Sequence, residues 1–282
     1  MRIAIASGKG GTGKTTIAVS LAHVAAKQGR AVAYLDCDVE EPNGHIFLKP
    51  IIERVVDIEK RVPLVDDSRC VNCGQCAAIC QFGAIASLPL RTIVFPDLCH
   101  ACGGCELVCQ EDAIGETKRR IGVLRIGTAG DIEFVDGTLD IGEAMSPPAI
   151  RAVRETPLDA AYFILDAPPG TSCPAVETVR GCDMAVLVTE PTPFGLNDLK
   201  LAVEMLRVVG VPFGVVINRS DVGDDRVQCY CEVQNIPIWA QVPDDRRVAE
   251  AYSRGEMIVD AVPEFGHQME ELLCKLETKP KQ

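Results

Sequence analysis

The 282-residue chain has no apolar run approaching the roughly 20 residues a membrane helix needs. It also lacks the basic segment, apolar core and small-residue cleavage site of a secretory signal, and enters a strand-like pattern at Arg2. Positive charge is short: 28 Lys and Arg against 40 Asp and Glu leave a net charge of −12, which disfavours an extended phosphate-binding surface. The densest basic run, Lys118, Arg119 and Arg120, reads as the solvated start of a surface strand. The 4 histidines show no spacing that suggests catalysis or a metal site. Stable membrane insertion and nucleic-acid binding are therefore not expected. Cysteine, by contrast, is abundant, with 14 residues. Without an export signal a cytoplasmic location is expected, where regularly spaced cysteines serve as metal ligands more often than as disulfides. A hydrophobic content of 47% with 24% charged residues supports a substantial core, in one large domain or two modest ones.

An apolar run over residues 2–6 ends at Ser7, and a helical pattern resumes near Lys14. Between them Gly8, Gly13, Lys14 and Thr15 complete G-x-x-x-x-G-K-[ST] in its strand–loop–helix context. Glycines there let backbone N–H groups turn inward and cradle phosphates at a helix N-terminus. The expected phosphate-side residues are Gly8, Gly10, Gly11, Thr12, Gly13, Lys14, Thr15 and Thr16. Lys14 is expected on the outer phosphates and Thr15 on Mg2+. Further buried-type strands over 31–36, 162–166, 184–189, 213–217 and 238–242 alternate with helical stretches. That alternation predicts an α/β fold with a doubly wound, mostly parallel sheet.

Lys9 directly after the first glycine makes the loop resemble that of the MinD/ParA superfamily of P-loop ATPases, and more distantly the nitrogenase iron protein. The resemblance covers residues 1–60 and 120–282. It implies an ATP-dependent homodimer, or a related heterodimer, in which Lys9 reaches the partner's phosphates. Asp36 and Asp38 match the family's switch I, so Asp38 is implied in orienting the attacking water and Asp36 in supporting the Mg2+ shell. Asp166 and Gly170 match its Walker B and switch II, implying a water-mediated Mg2+ ligand and a γ-phosphate sensor. Asn218 matches the adenine-side asparagine, and Pro243, Asp244 and Asp245 the base-side loop.

Two cysteine ladders interrupt this pattern: Cys70, Cys73, Cys76 and Cys80, then Cys99, Cys102, Cys105 and Cys109. Each has the C-x2-C-x2-C-x3-C spacing with which bacterial ferredoxins hold cubane clusters. They form an internal repeat that extends to Gln81, Ala84 and Ile85 against Gln110, Ala113 and Ile114. The spacing wraps three thiolates round one cluster and carries the fourth toward the other. Cluster one is therefore assigned Cys70, Cys73, Cys76 and Cys109, and cluster two Cys99, Cys102, Cys105 and Cys80. Glutamine replaces the usual proline after each fourth cysteine, which adds a backbone donor near sulfur. Zinc is the alternative, although zinc sites usually pair cysteines across longer loops. The expected organisation is a P-loop ATPase over 1–62 and 118–282 enclosing an α+β, bacterial-type 2[4Fe–4S] ferredoxin domain over 63–117.

Cys173, seven positions beyond Asp166, suits a small buried residue better than a dimer-bridging ligand, and Cys229 with Cys231 is a weak metal pair. Phe265, Met269, Leu272, Leu273 and Leu276 trace an apolar helical face, flanked by acids that oppose anionic lipid. That face is expected to pack on its own domain. The expected function is an ATPase coupling dimerisation and switch movement to electron transfer or metallocentre chemistry with a redox or metalloprotein partner. An iron–sulfur carrier and a spatial-organisation ATPase are the alternatives.

Overall fold

Short apolar runs become strands wherever both of their faces can be covered. In chain order the strands are β1 (Arg2–Ala6), β2 (Val32–Asp36), β3 (Ile51–Val65), β4 (Ile85–Leu88), β5 (Arg91–Val94), β6 (Ile114–Ala129), β7 (Ile132–Leu139), β8 (Tyr162–Asp166), β9 (Met184–Thr189), β10 (Phe213–Asn218) and β11 (Ile238–Val242). They are seen in a computed structural model that describes residues 1–278. β2 and β9 are buried at every residue, as near-continuous apolar strands of parallel sheets are. All strands but β4 and β5 join one nine-stranded sheet in the order β11-β10-β9-β1-β8-β2-β7-β6-β3. Pairing is parallel from β11 through β7. A two-residue turn at Gly130 and Asp131, with Gly130 at φ +59°, folds β6 back into β7 as a hairpin. The fold is therefore α/β with a mostly parallel sheet.

The chain divides into two compact units. The first holds residues 1–56, 124–138 and 150 onward, and the second holds 57–123 and 139–149.

In the first unit β1 lies between β8 and β9, so the chain leaves it toward one side and later returns on the other. The carboxyl end of β1 is thus a topological switch point, where open α/β sheets bind ligands. The helix Lys14–Lys27 buries Ile17, Leu21, Val24 and Ala25 in the same core as Phe265, Met269, Leu272, Leu273 and Leu276 of the C-terminal helix Pro263–Glu277. The apolar face read from the sequence is covered by its own domain. Arg30 forks onto Glu277 (Nε–Oε1 2.6 Å, Nη2–Oε2 2.8 Å), and the Tyr162 hydroxyl donates to Glu277 Oε1 at 2.7 Å, pinning that helix at its last turn.

The second unit has little apolar interior. Cys76, Ile85 and Ile114 form one small cluster, and Val62, Ala84 and Cys99 another. β4 and β5 pair antiparallel. The sequence repeat is also a backbone repeat. Asn72 and Ala101 (φ +53° and +52°), Gly74 and Gly103 (+79° and +73°), and Gly83 and Asp112 (+63° and +43°) take left-handed conformations at equivalent places. A buried ion pair, Lys60 Nζ to Glu143 Oε1 at 2.7 Å, ties the segment 139–149 to β3, with side chains 0% and 3% exposed. Lys118, Arg119 and Arg120 lie inside β6, not at its start, and pair with Glu59, Asp97 and Asp57 respectively. Acidic neighbours neutralise this run, which explains why it forms no free basic patch.

Candidate nucleotide site and cysteine cavities

The loop after β1 is shaped by two glycines, Gly8 and Gly13, at which a side chain would collide. Gly13 caps the helix Lys14–Lys27 at φ +93°, and a Cβ there would lie 2.5 Å from Asn218 Nδ2. A Cβ on Gly8 would lie 2.1 Å from the Asp198 carbonyl oxygen. Asn218, at the end of β10, donates Nδ2–H to the Thr12 carbonyl at 2.9 Å, so in this structure it braces the loop. Lys14 and Thr12 are buried, and Thr12 Oγ1 has no protein partner. One cleft is lined by Gly10, Gly11, Gly13, Lys14, Thr15, Thr16, Asp38 and Asn218, together with Arg219, Pro243, Asp244 and Asp245. Gly8, Thr12, Asp36, Asp166 and Gly170, also expected at the site, are not among its lining residues.

The acids come from adjacent strand ends. Asp36 and Asp166 are register partners across β2 and β8, and both are buried. Asp36 spends its carboxylate on the following loop: Oδ1 accepts from Asp38 N at 3.2 Å, and Oδ2 accepts from Asn43 N at 3.1 Å and Gly44 N at 2.9 Å. Burial and then the neighbouring Asp166 charge push the Asp36 carboxyl well above the usual range. Burial also raises Asp166, opposed by the Lys14 charge, by the nearby Thr15 hydroxyl and by the hydrogen bond from Tyr34. The Tyr34 hydroxyl donates to Asp166 Oδ2 at 3.1 Å, while Asp166 Oδ1 is buried without a protein partner. Asp38 is half-buried and pushed up to about 6 by burial, against the pull of Lys14. Gly170, at φ +94°, donates its N–H to the Ser7 carbonyl at 3.0 Å.

Several participants left no local signal in the sequence. Lys9 Nζ lies 3.4 Å from Glu190 Oε2, and Arg219 Nη1 donates to Glu190 Oε1 at 2.9 Å. Arg219 also reaches Asp244 at 3.4 Å, so a chain of charges runs from Lys9 to Asp244, and its last two members line the cleft. On the other flank Asp136 of β7 is in register with Asp36 and is held by an Arg125 fork. Lys9 and Glu190, and Asp36 and Asp136, are far apart in the chain, and the strand order brings them together.

In the second unit, the eight ladder cysteines sort into two cavities. Cys70, Cys73, Cys76 and Cys109 line one; Cys80, Cys99, Cys102 and Cys105 line the other. Sulfur accepts backbone N–H at equivalent positions: Ala84 N to Cys80 Sγ at 3.3 Å and Ala113 N to Cys109 Sγ at 3.2 Å. Ala101 N adds a contact to Cys99 Sγ at 3.4 Å. All 14 cysteines are free thiols. Among the described residues no three His, Cys, Asp or Glu side chains converge where a single metal ion could sit. Cys173 and Cys229 are exposed, whereas Cys37, Cys182 and Cys231 are buried. The exposure of Cys173 differs from the buried position expected for it. It opens the short helix Cys173–Val179 instead of facing the core.

A glycine-shaped loop between a central parallel strand and a helix, backed by two strand-end aspartates, defines a P-loop nucleotide-binding protein. The chain belongs to the CobQ/CobB/MinD/ParA nucleotide-binding family, whose domain (CbiA) matches residues 3–259. It is a P-loop ATPase of MinD/ParA type. An uncharacterized protein of Methanocaldococcus jannaschii is 34% identical over 98% of this chain and 96% of its own length. A Pyrococcus abyssi protein named iron-sulfur cluster carrier protein is 24% identical, over 98% of this chain and 86% of its own length. Among solved structures, the septum site-determining protein MinD of Pyrococcus horikoshii with Mg-ADP has a TM-score of 0.59 at 19% identity, covering 98% of this chain and 96% of that one. The MinC:MinD complex of Aquifex aeolicus gives 0.60 at 17%, covering 99% and 96%. These likenesses concern the fold. No helix among the described residues is long and apolar enough to cross a membrane.

Proposed function

We propose that this ATPase uses nucleotide-dependent dimerisation and switch movement to control electron transfer through two [4Fe–4S] clusters to a redox or metalloprotein partner. The observation that carries the reading is the sorting of eight cysteines into two cavities, each completed by the fourth cysteine of the other ladder. The donor set fits: four soft thiols surround each cavity, and backbone N–H groups already point at sulfur. Cys70, Cys73, Cys76 and Cys109 would hold one cluster, and Cys80, Cys99, Cys102 and Cys105 the other. When bound, the clusters supply one-electron redox chemistry. The unit's small apolar interior agrees with an inserted ferredoxin domain over 63–117 whose folding depends on its cofactors.

For hydrolysis, the loop amides and Lys14 would bind the phosphates, and Thr15 with Asp166 would hold Mg2+. The buried, unpartnered Asp166 Oδ1 suits a bound ion or its water. Asp38 would align the attacking water, while Asp36 acts through the loop it holds by three backbone N–H bonds. Gly170 would exchange Ser7 for the γ-phosphate. Asn218 would keep the loop braced and offer its remaining polar atoms to adenine. Lys9 would leave Glu190 and cross to the second subunit. No permanent membrane attachment or nucleic-acid contact is part of this scheme, which is assigned to the cytoplasm.

The carrier reading is favoured by relatives bearing that name. Against it, four cysteines at each cavity suit retained cofactors, since a cargo cluster must leave. A spatial-organisation role draws only on the shared fold, and the apolar face of the C-terminal helix that a membrane-seeking relative would expose is buried here. The test is an anaerobic measurement of electron delivery to a neutral dye acceptor with ATP, ADP and no nucleotide. Distinct rates are expected. Identical rates in all three states would refute the proposal, and rapid transfer of labelled iron to an apo-acceptor would favour the carrier.

A further inference from the structure

We propose that Thr92, assisted by Asn72, is a hydrogen-bond donor to Cys70 Sγ that raises the reduction potential of the centre held by Cys70, Cys73, Cys76 and Cys109 and has no equivalent at the other centre. This inference rests on the reading that the two cavities bind iron–sulfur clusters. Thr92 sits on β5, is 5% exposed, and lines the first cavity. Its Oγ1 lies 3.6 Å from Cys70 Sγ, 3.4 Å from Ser87 Oγ and 3.2 Å from Asn72 Oδ1. Ser87 and Thr92 are register partners across the β4–β5 hairpin, so the hydroxyl is fixed by a strand pair. A β-branched threonine is also stiff at χ1.

Asn72 supplies a comparison within the molecule. It lies two residues after Cys70 with φ +53°, and Oδ1 is 3.7 Å from Cys70 Sγ. Two residues after Cys99 the same backbone turn recurs at φ +52°, but there the residue is Ala101. The turn thus forms without a carboxamide, and asparagine adds polar chemistry that the second ladder does without. With a free thiol, the Cys70 S–H and the Thr92 O–H both donate to Asn72 Oδ1. A cysteine sulfur bound as a thiolate carries no proton and can only accept. The Thr92 hydroxyl can then rotate to sulfur, and a half-turn of the Asn72 amide presents Nδ2–H to the same atom. Donors at sulfur stabilise the more negative, reduced state and so raise the potential.

Backbone donors are matched at the fourth cysteines, and the further one, Ala101 N to Cys99 Sγ at 3.4 Å, belongs to the second centre. The contact of Ala113 N with Cys109 repeats that of Ala84 N with Cys80. Thr92 stands seven residues before Cys99, and the residue seven before Cys70 is Pro63, which lines the second cavity. Proline offers neither a hydroxyl nor an N–H where the first cavity offers a hydroxyl and an amide.

The test is an anaerobic redox titration followed by EPR on full-length protein reconstituted with iron and sulfide. Thr92→Val keeps the shape and removes the hydroxyl; Asn72→Ala copies the second ladder; Thr92→Ser keeps the hydroxyl and loses the methyl. Thr92→Val is expected to move one midpoint potential negative and leave the other in place. Asn72→Ala is expected to move the same midpoint in the same direction, and Thr92→Ser to stay near wild type. Unchanged potentials in Thr92→Val, equal movement of both midpoints, or an equal shift in Thr92→Ser would each overturn the proposal. If Thr92→Val fails to take up iron, the Asn72→Ala and Thr92→Ser pair decides by the same criteria. Wild-type protein that binds no [4Fe–4S] cluster would instead refute the underlying reading.

Discussion

Glu190→Gln should make ATP-dependent dimerisation tighter. Lys9 is the residue assigned to reach the second subunit, yet here it lies 3.4 Å from Glu190, with side chains 31% and 11% exposed. At that partial exposure the pair contributes about 0.5–1 kcal/mol net. A dimer must break two such pairs, about 1–2 kcal/mol in all, and 1.4 kcal/mol is tenfold in an equilibrium constant. The variant is therefore expected to dimerise roughly 5- to 30-fold more tightly with Mg-ATP. Arg219 keeps Asp244 at 3.4 Å when it loses Glu190, so no buried cation is stranded. Sedimentation equilibrium with Mg-ATP in an Asp38→Asn background, which suppresses turnover, measures the constant. Adding Lys9→Ala should abolish the gain, and neither form should dimerise with ADP. Equal or weaker dimerisation of Glu190→Gln would show that the contact is not a restraint on Lys9.

Asp38, pushed up to about 6, binds more protons in the folded than in the unfolded state between roughly pH 4 and pH 6. Its contribution to stability is therefore present below pH 4 and lost as pH rises through 6. Asp38→Asn should stabilise the nucleotide-free, Mg2+-free protein at pH 7 by about 1–2 kcal/mol after allowance for partial exposure, with no gain at pH 4. Thermal melts at the two pH values check this, and equal gains at both would contradict it. Glu143→Gln strands the fully buried Lys60 cation and should destabilise the second unit by about 3 kcal/mol, while replacing both with apolar residues should recover most of that. Denaturant titration of the two variants would expose an error if the single change were silent. Cys109→Ser should perturb the EPR signal that Cys70→Ser perturbs, and Cys80→Ser the signal that Cys99→Ser perturbs. The opposite pairing would refute the crossed arrangement.

What the sequence makes legible is local. The loop from Gly8 to Thr15 stands in one stretch, and β9 and β11 span the residues that their apolar runs predict, 184–189 and 238–242. The helix begins at Lys14, directly after Gly13, because a left-handed glycine ends the loop there. The apolar periodicity of the C-terminal helix likewise foretold its burial. Non-local pairs were not readable. Glu190 is 181 residues from Lys9 in numbering, and Asp136 meets Asp36 only because the β6–β7 hairpin adds beside β2. Asn218 matched an adenine-side position, but its contact with the Thr12 carbonyl depends on Gly13 having no side chain. The basic run at 118–120 read as a solvated strand start because its acidic partners lie on other segments.

We propose that one chain joins a MinD-type ATP site to two cubane centres and makes the second respond to the first. Anaerobic EPR of the reduced, reconstituted protein, recorded with and without Mg-ATP, tests both parts at once. Spin intensity for two [4Fe–4S] clusters per chain is expected, with a change in line shape or midpoint potential on adding Mg-ATP, as that coupling requires. One cluster or none, or two clusters with spectra and potentials indifferent to Mg-ATP, would contradict it.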